Sequence, residues 1–271
     1  MEHLVQIMGI LNVTPDSFSD GGDWLDEESM ERRIDQLLGE GADIIDVGGE
    51  SSRPFAEPVG VEEELRRVIP AIHKIRQQSS IPISIDTTKA EVALAAIEAG
   101  ATMINDISAL RQDPDMISVA RTFTGPVVIM HMQGNPADMQ LAPYYEDVLA
   151  EINTFFEEQI RWLEERGLSR QRIIVDPGIG FGKTVEHNLI ILKNIRSLKQ
   201  HGCPVLIGHS RKSFLGRLLH LPVESRDCLT AQLSAFCAEQ EVDILRVHAV
   251  GETRRALVLH RYLTTGTPYP A

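Results

Sequence analysis

At 271 residues and 43% hydrophobic content, the chain can bury a full core, and an α/β barrel of about 250 residues is a single domain. A formal net charge of -13 argues against a nucleic-acid surface, which needs a concentrated cationic face, so an anionic substrate must find its positive groups gathered locally. Cys203, Cys228 and Cys237 form no CxxC pair and predict free thiols in a reducing cytoplasm, and no apolar run reaches the roughly 20 residues of a membrane span.

An apolar run over residues 4–13 ends at Asn12 and Thr14 and passes into a polar loop with Pro15, two Asp and two Gly, the pattern of a buried strand closing on a functional loop. Residues 28–40 place Met30, Ile34, Leu37 and Leu38 on one helical face, closed by Gly41. A second strand, 43–47, leads to Gly48 and Gly49. Helical spacing returns over 61–76, with Leu65, Val68, Ile69, Ile72 and Ile75 as the buried set. Residues 81–86 read as the third strand, 89–98 as an Ala-rich helix stopped by Gly100, and 103–107 as a fourth strand carrying Asn105. A short helix over 114–121 precedes the fifth strand, 127–132. The segment 133–143 is too long for simple closure and reads as an active-site loop. The longest helix is expected over 144–166, with strands at 173–176, 205–207 and 244–247.

Eight strand–helix units fill the chain without a linker, so the expected fold is a single-domain (β/α)8 TIM barrel over residues 1–271, with long, mobile βα loops and a frayed tail. An open doubly wound sheet is the alternative. In a barrel the C-terminal strand ends share one face, which would gather Asn12, Asp46, Asp86, Asn105, His131, Asp176, Ser210, Arg246 and His248. An Asp or Asn after one strand is ordinarily a cap or turn former, but nearly every strand ends this way.

Two tempting motifs fail in register. The run Gly178, Gly180, Gly182, Lys183, Thr184 has Pro177 where a P-loop needs its first glycine. Gly208 and Ser210 begin a G-x-S-x-G pattern, but Lys212 occupies the last glycine's place.

The segments 9–22, 45–54, 84–87, 104–107, 130–136, 176–183, 210–214 and 246–248, in order and at natural spacing, resemble the dihydropteroate synthase family. The resemblance implies a magnesium-dependent, cytoplasmic, homodimeric transferase of folate biosynthesis, a sulfonamide target. It would join a hydroxymethyl-dihydropterin diphosphate to p-aminobenzoate and release pyrophosphate. A pterin ring presents two adjacent donors that one buried carboxylate can accept together, and Asp176 is the best candidate. By resemblance Asp86 and Asn105 line the same pocket, Lys212 reaches the pterin from above, and Met130 and Phe181 bound the ring. Phe18 and Asp20 of the first loop, with Ser52, Arg53, Phe181 and Ser210, are implied around p-aminobenzoate. Ser51, Ser52, Arg53, Arg246 and His248 supply donors and positive charge for the diphosphate. Asn12 is implied as a neutral magnesium ligand beside it, in keeping with that ion's use of few protein ligands.

The chain departs from the family pattern at Ser52, Phe55, His209 and Ala249. Two rival readings are the pterin-binding domain of a folate-dependent methyltransferase, which has no use for a diphosphate site, and a non-catalytic pterin-binding paralogue. Arg53, Lys212, Arg246 and His248 favour the synthase over the first. The intact first loop and the Ser210–Arg211–Lys212 run favour it over the second.

Overall fold

The computed structural model describes residues 4–14, 27–51, 57–134, 139 and 141–269. Eight parallel strands, β1 (Gln6–Asn12), β2 (Ile44–Gly48), β3 (Ile83–Asp86), β4 (Met103–Asp106), β5 (Val127–Met130), β6 (Ile173–Asp176), β7 (Leu206–Ile207) and β8 (Ile244–Val247), run in the order β6-β5-β4-β3-β2-β1-β8-β7. A parallel bridge between Val175 and Val205 joins the two outer strands and closes the barrel. The open-sheet alternative is thereby excluded.

The helices are α1 (Glu27–Gly39), α2 (Val61–Gln78), α3 (Ala90–Ala99), α4 (Met116–Thr122), α5 (Val148–Glu165), α6 (Val185–Lys193), α7 (Ser213–Leu219), α8 (Asp227–Glu239) and α9 (Val250–Thr265). None of the described helices is long and apolar enough to cross a membrane. The strands read as continuous apolar runs because each is covered on both sides. Outward-facing residues such as Ile7, Leu11, Ile45, Val47, Val127 and Ile129 pack against the helices in the large outer core. Met8, Ile44, Met103, Val128, Ile174, Leu206 and Ile244 form a separate cluster that plugs the barrel interior.

That plug positions the site. Side chains alternate along a strand, so the residue two positions beyond each plug residue points into the same interior, one layer nearer the C-terminal mouth. Counting two onward from Ile44, Met103, Val128, Ile174, Leu206 and Ile244 gives Asp46, Asn105, Met130, Asp176, Gly208 and Arg246. The floor of the mouth is therefore the second layer of a pattern whose first layer is apolar except at β3, where the buried Ser84 pairs in register with Met103 and stands two residues before Asp86.

Two details of one helix differ from expectation. The helix expected over 144–166 begins at Val148, because the Asp147 carboxylate accepts from the Leu149 and Ala150 amides and caps it there. It has 18 residues, as many as α2, so it is not the longest. Tyr144 belongs instead to the preceding loop, its backbone held at both ends by the Gln133 amide. Near the end of the chain the Tyr269 hydroxyl donates to the Val5 carbonyl at 2.6 Å, and the last residues of the expected tail, 270 and 271, fall outside the described residues.

Candidate active site

Arg246 stands at the centre of the mouth. Its Nε donates to Asp46 Oδ2 and a terminal nitrogen to Asp86 Oδ2, both at 2.6 Å. Asp46 is fully buried, while the Asp86 and Arg246 side chains are 15% and 20% exposed, so this is a two-carboxylate cage with one side facing the mouth. Burial works against the guanidinium charge, but Asp46 and Asp86 outweigh it and hold Arg246 protonated. Burial pushes the Asp86 carboxyl up and Asp46 adds to the shift, against the pull of Arg246. Asn105 pairs in register with Asp86 and donates its amide to Asp46 at 3.3 Å. That directs the amide nitrogen into the wall, in the orientation assigned by this hydrogen-bond pattern.

Asp176 is buried at the end of β6, with Oδ1 accepting the Gly178 amide at 2.8 Å. Burial pushes its carboxyl up to about 6, against the opposing effects of the Gly178 amide, Lys212 and Lys183. Gly208 leaves room beside it: a Cβ there would lie 3.7 Å from Asp176 Oδ2. Lys212, entering α7, places its ammonium 4.0 Å from the centre of the Phe181 ring. Burial and the nearby Arg246 charge push Lys212 down to about 8, against Asp176 and Asp86. Phe181 in turn packs with Met130 and Met139 in a small apolar cluster. A carboxylate, a carboxamide, an ammonium and an apolar shelf thus surround one space suited to a flat heterocycle with polar edges.

Beside it lies an anion-compatible corner. Ser210 Oγ and His248 Nδ1 are 2.9 Å apart, and the His248 amide donates to the same hydroxyl at 3.1 Å. His248 does not supply the positive charge expected of it. Burial, with Arg211, Arg246, Arg33 and Lys212 around it, pushes its imidazole down to about 2, so it serves as a neutral donor or acceptor. The charge comes partly from two arginines to which the sequence reading gave no place around the diphosphate. Arg33 of α1 donates to the His248 carbonyl at 2.6 Å, and Arg211 pairs with Asp227 of α8 at 2.6 Å. Arg33 stands on a helix, in no strand-end motif, and Arg211 lies in the 210–214 segment after β7. The place of Arg211 between Ser210 and Lys212 marks it in the sequence, whereas nothing near Arg33 in the chain does.

Asn12 ends β1 opposite Gly48. A Cβ on Gly48 would sit 3.6 Å from Asp86 Oδ2 and 3.7 Å from Asn12 Oδ1, so both side chains converge above that glycine. The described residues contain no group of three or more His, Cys, Asp or Glu able to hold a metal ion. A divalent cation here would depend on the ligand's own oxygens, with Asn12 as a neutral supplement. Ser51 lies at the start of the β2–α2 connection. Phe18, Asp20, Ser52, Arg53 and Phe55 fall outside the described residues.

His131, expected at the common centre, is turned away from it. It follows Met130, the last residue of β5, and alternation puts its ring on the opposite side, edge-on to Phe155 at 5.0 Å. Its Nδ1 is 3.1 Å from the buried Lys183 ammonium, which also donates to the Phe181 carbonyl at 2.9 Å. The lysine of the P-loop-like run therefore points inward and ties the β5 and β6 loops together. His209 likewise points away from the mouth, with Nε2 3.0 Å from Ser234 Oγ of α8. Ala249 is the N-cap residue of α9.

A family model described as pterin binding enzyme matches residues 8–248. The dihydropteroate synthase of Escherichia coli is 45% identical over 251 residues, covering 93% of this chain and 89% of that protein. The Xanthomonas albilineans dihydropteroate synthase structure with 4-aminobenzoic acid superposes with a TM-score of 0.90 at 44% identity, covering 96% of this chain and 93% of that one. The structure of that enzyme in complex with 7,8-dihydropteroate gives 0.87 at 41% identity, covering 96% and 94%.

Proposed function

We propose that this chain, which belongs to the dihydropteroate synthase family of pterin-binding enzymes, joins a hydroxymethyl-dihydropterin diphosphate to p-aminobenzoate, giving dihydropteroate and pyrophosphate. The observation that carries the reading is the juxtaposition of the Asp176–Asn105–Lys212–Phe181 space with the Arg246–Ser210–His248 corner. Asp176 accepts the ring's paired donors, Asn105 and Asp86 fix its polar edge, and Met130 and Phe181 bound its face. Ser210, His248 and the surrounding cations receive the diphosphate. The p-aminobenzoate amine forms the new C–N bond at the exocyclic methylene. The C–O bond breaks with its electron pair leaving on pyrophosphate, and the amine proton goes to solvent or to the leaving group. No side chain is required as a general base when the attacked carbon is already cationic.

Magnesium fits the donor set described above, with Asn12 as its protein ligand, and when bound it would neutralise charge on the leaving group. A folate-dependent methyltransferase has no use for the cation-rich corner, which favours the synthase. The test is release of pyrophosphate when the protein is mixed with the pterin diphosphate, p-aminobenzoate and magnesium. Absence of release, with a pterin still bound, would favour a non-catalytic paralogue.

Two further expectations follow from the chemistry. Asp176 accepts both pterin donors only when ionised, and its free-protein value lies near 6. Affinity for a neutral pterin analogue is expected to be flat from pH 7 to 8 and to fall about tenfold per unit well below pH 6. Calorimetry across that range reads it, and a flat profile down to pH 5 would exclude Asp176 as the acceptor.

The second expectation is that p-aminobenzoate binds well only after the anion corner is filled, because the resemblance assigns Ser52 and Arg53 to both ligands, so that a bound diphosphate would already hold the groups that p-aminobenzoate meets. Titration of p-aminobenzoate alone, then with pyrophosphate and magnesium, is expected to show at least about a tenfold gain. Equal affinities would mean a preformed pocket.

A homodimer fits the exposed apolar side chains Leu218, Leu219, Val223, Phe236, Leu259 and Leu263 between α7 and α9, as size-exclusion chromatography can check. The unpaired cysteines, two of them buried, suit a reducing cytoplasm.

A further inference from the structure

Beneath the β2–α2 connection lies a charge network that the chemistry above does not use. The Lys89 ammonium bonds Glu50 Oε2 and, at 2.6 Å, Glu64 Oε2. Glu64 lies in the first turn of α2 and is fully buried, and its Oε1 has no hydrogen-bond partner among the described residues. The other oxygen of Glu50 accepts the Val59 amide at 3.2 Å. Arg67 of α2 donates to the Gly49 carbonyl at 2.8 Å. Gly49 itself is pressed onto α2, since a Cβ there would lie 2.9 Å from both Glu64 Cγ and Val68 Cγ1.

These contacts have one geometric meaning. The chain leaves β2 at Gly48 and enters α2 at Val61, and the Glu50 carboxylate ties the two ends of that connection together across nine residues of sequence. Lys89, the N-cap residue of α3, lies three residues beyond Asp86 and holds Glu50 from the neighbouring unit. One ammonium serves two carboxylates, one of them wholly buried. Burial lowers the Lys89 affinity for its proton, but hydrogen bonds to Glu50 and Glu64 more than offset it and keep the group charged. Without that charge the carboxylates would face each other uncompensated, and Glu50, the more exposed, would be the one to leave.

We propose that Lys89 and Glu50 are positioning residues that fix the foot of the β2–α2 connection, so that Ser51 is presented to the diphosphate beside Asn12 and Asp86. Neither residue touches substrate. The inference rests on the reaction assigned above, and it predicts a specific pattern of loss. Lys89→Met is expected to raise KM for the pterin diphosphate about tenfold and to weaken pyrophosphate binding similarly, while kcat stays within about threefold. Affinity for a pterin lacking the diphosphate should stay within about twofold, because Asp176, Asn105 and Lys212 are untouched.

Lys89→Arg should restore most of the loss. In the Lys89→Met background, Glu50→Gln should recover thermal stability by removing the carboxylate clash, without restoring KM. Hydrogen exchange at the Val59 amide, read without any substrate, should accelerate in Lys89→Met and in Glu50→Gln. An equal loss of affinity for the diphosphate-free pterin would make Lys89 a general support of the barrel and overturn the proposal. Unchanged Val59 exchange would overturn it independently. Wild-type protein that binds pyrophosphate but turns over no substrate would remove the reaction assignment, leaving pyrophosphate affinity and Val59 exchange in Lys89→Met to decide the clamp.

Discussion

Asp176→Asn is expected to lower kcat/KM by about a thousandfold while leaving the melting temperature at or above that of the parent protein. Asp176 Oδ1 accepts the Gly178 amide, and an asparagine carbonyl in the same place can keep that bond. Its NH2 group then occupies the Oδ2 position and meets the pterin's donors with donors of its own. One hydrogen bond to the charged acceptor becomes a donor–donor contact and the other weakens to a neutral one, together about 4 kcal/mol, which gives the expected factor. Stability moves the other way. Burial raises the Asp176 carboxyl, so the charged form disfavours the folded state as pH rises through about 6, and a neutral amide removes that penalty at pH 7. Calorimetry with a pterin analogue and thermal melts separate the two effects. Unchanged pterin affinity would put the ring elsewhere in the mouth.

Arg246→Met is expected to damage both fold and reaction. It leaves Asp46 and Asp86 facing each other without the guanidinium that bonds both, a defect of about 3 to 5 kcal/mol for a broken buried pair. The pH dependence has a definite sign. Removing Arg246 takes away what opposes the burial-driven rise of Asp86, so its folded-state value moves further above its unfolded one. Stability from such a raised acid is present below the unfolded value and lost as pH rises through the folded one. The deficit of the variant should therefore be smallest near pH 5 and widen towards pH 8. Adding Asp46→Asn should recover much of the melting temperature but not turnover, since the cation near the diphosphate is still missing. Recovery of both would reduce Arg246 to a structural counter-ion.

The barrel was legible because each strand is buried on both faces and each helix has one apolar stripe, so periodicity and length separate them. The candidate site was legible where polar residues interrupt that pattern at fixed places: Asp86 and Asp176 end their strands, and Asp46, Asn105 and Arg246 lie within the last three residues of theirs, each following an inward residue of the closed interior. His131 misled because one residue of alternation separates the mouth from the helix layer, and a strand end cannot be set to that accuracy from composition. The start of α5 lies four residues later than the pattern predicts, since Tyr144 and Tyr145 extend the apolar spacing upstream of the Asp147 cap. Arg33 reaches the site from a helix surface 215 residues away from its partner His248, a closeness that only barrel closure creates. The neutral state of His248 depends first on burial and then on Arg211, Arg246, Arg33 and Lys212, brought together from distant segments.

The barrel has an uneven circumference. Strands β1 and β2 share five paired positions, whereas β7 has two residues, and its far side meets β6 through the single Val175–Val205 bridge. Asp176 lies on one side of this seam, and Gly208, Ser210 and Lys212 follow from the other. Among the strand junctions, the seam is the one with the fewest hydrogen bonds to break, so sub-global opening should begin there and part the acidic and basic halves of the proposed pterin pocket. A ligand held by Asp176 and Lys212 together spans the break like a stitch. Its kinetic signature is a slowing of solvent exchange concentrated at the β6 and β7 amides, with the β1–β2 side of the barrel almost indifferent to its presence.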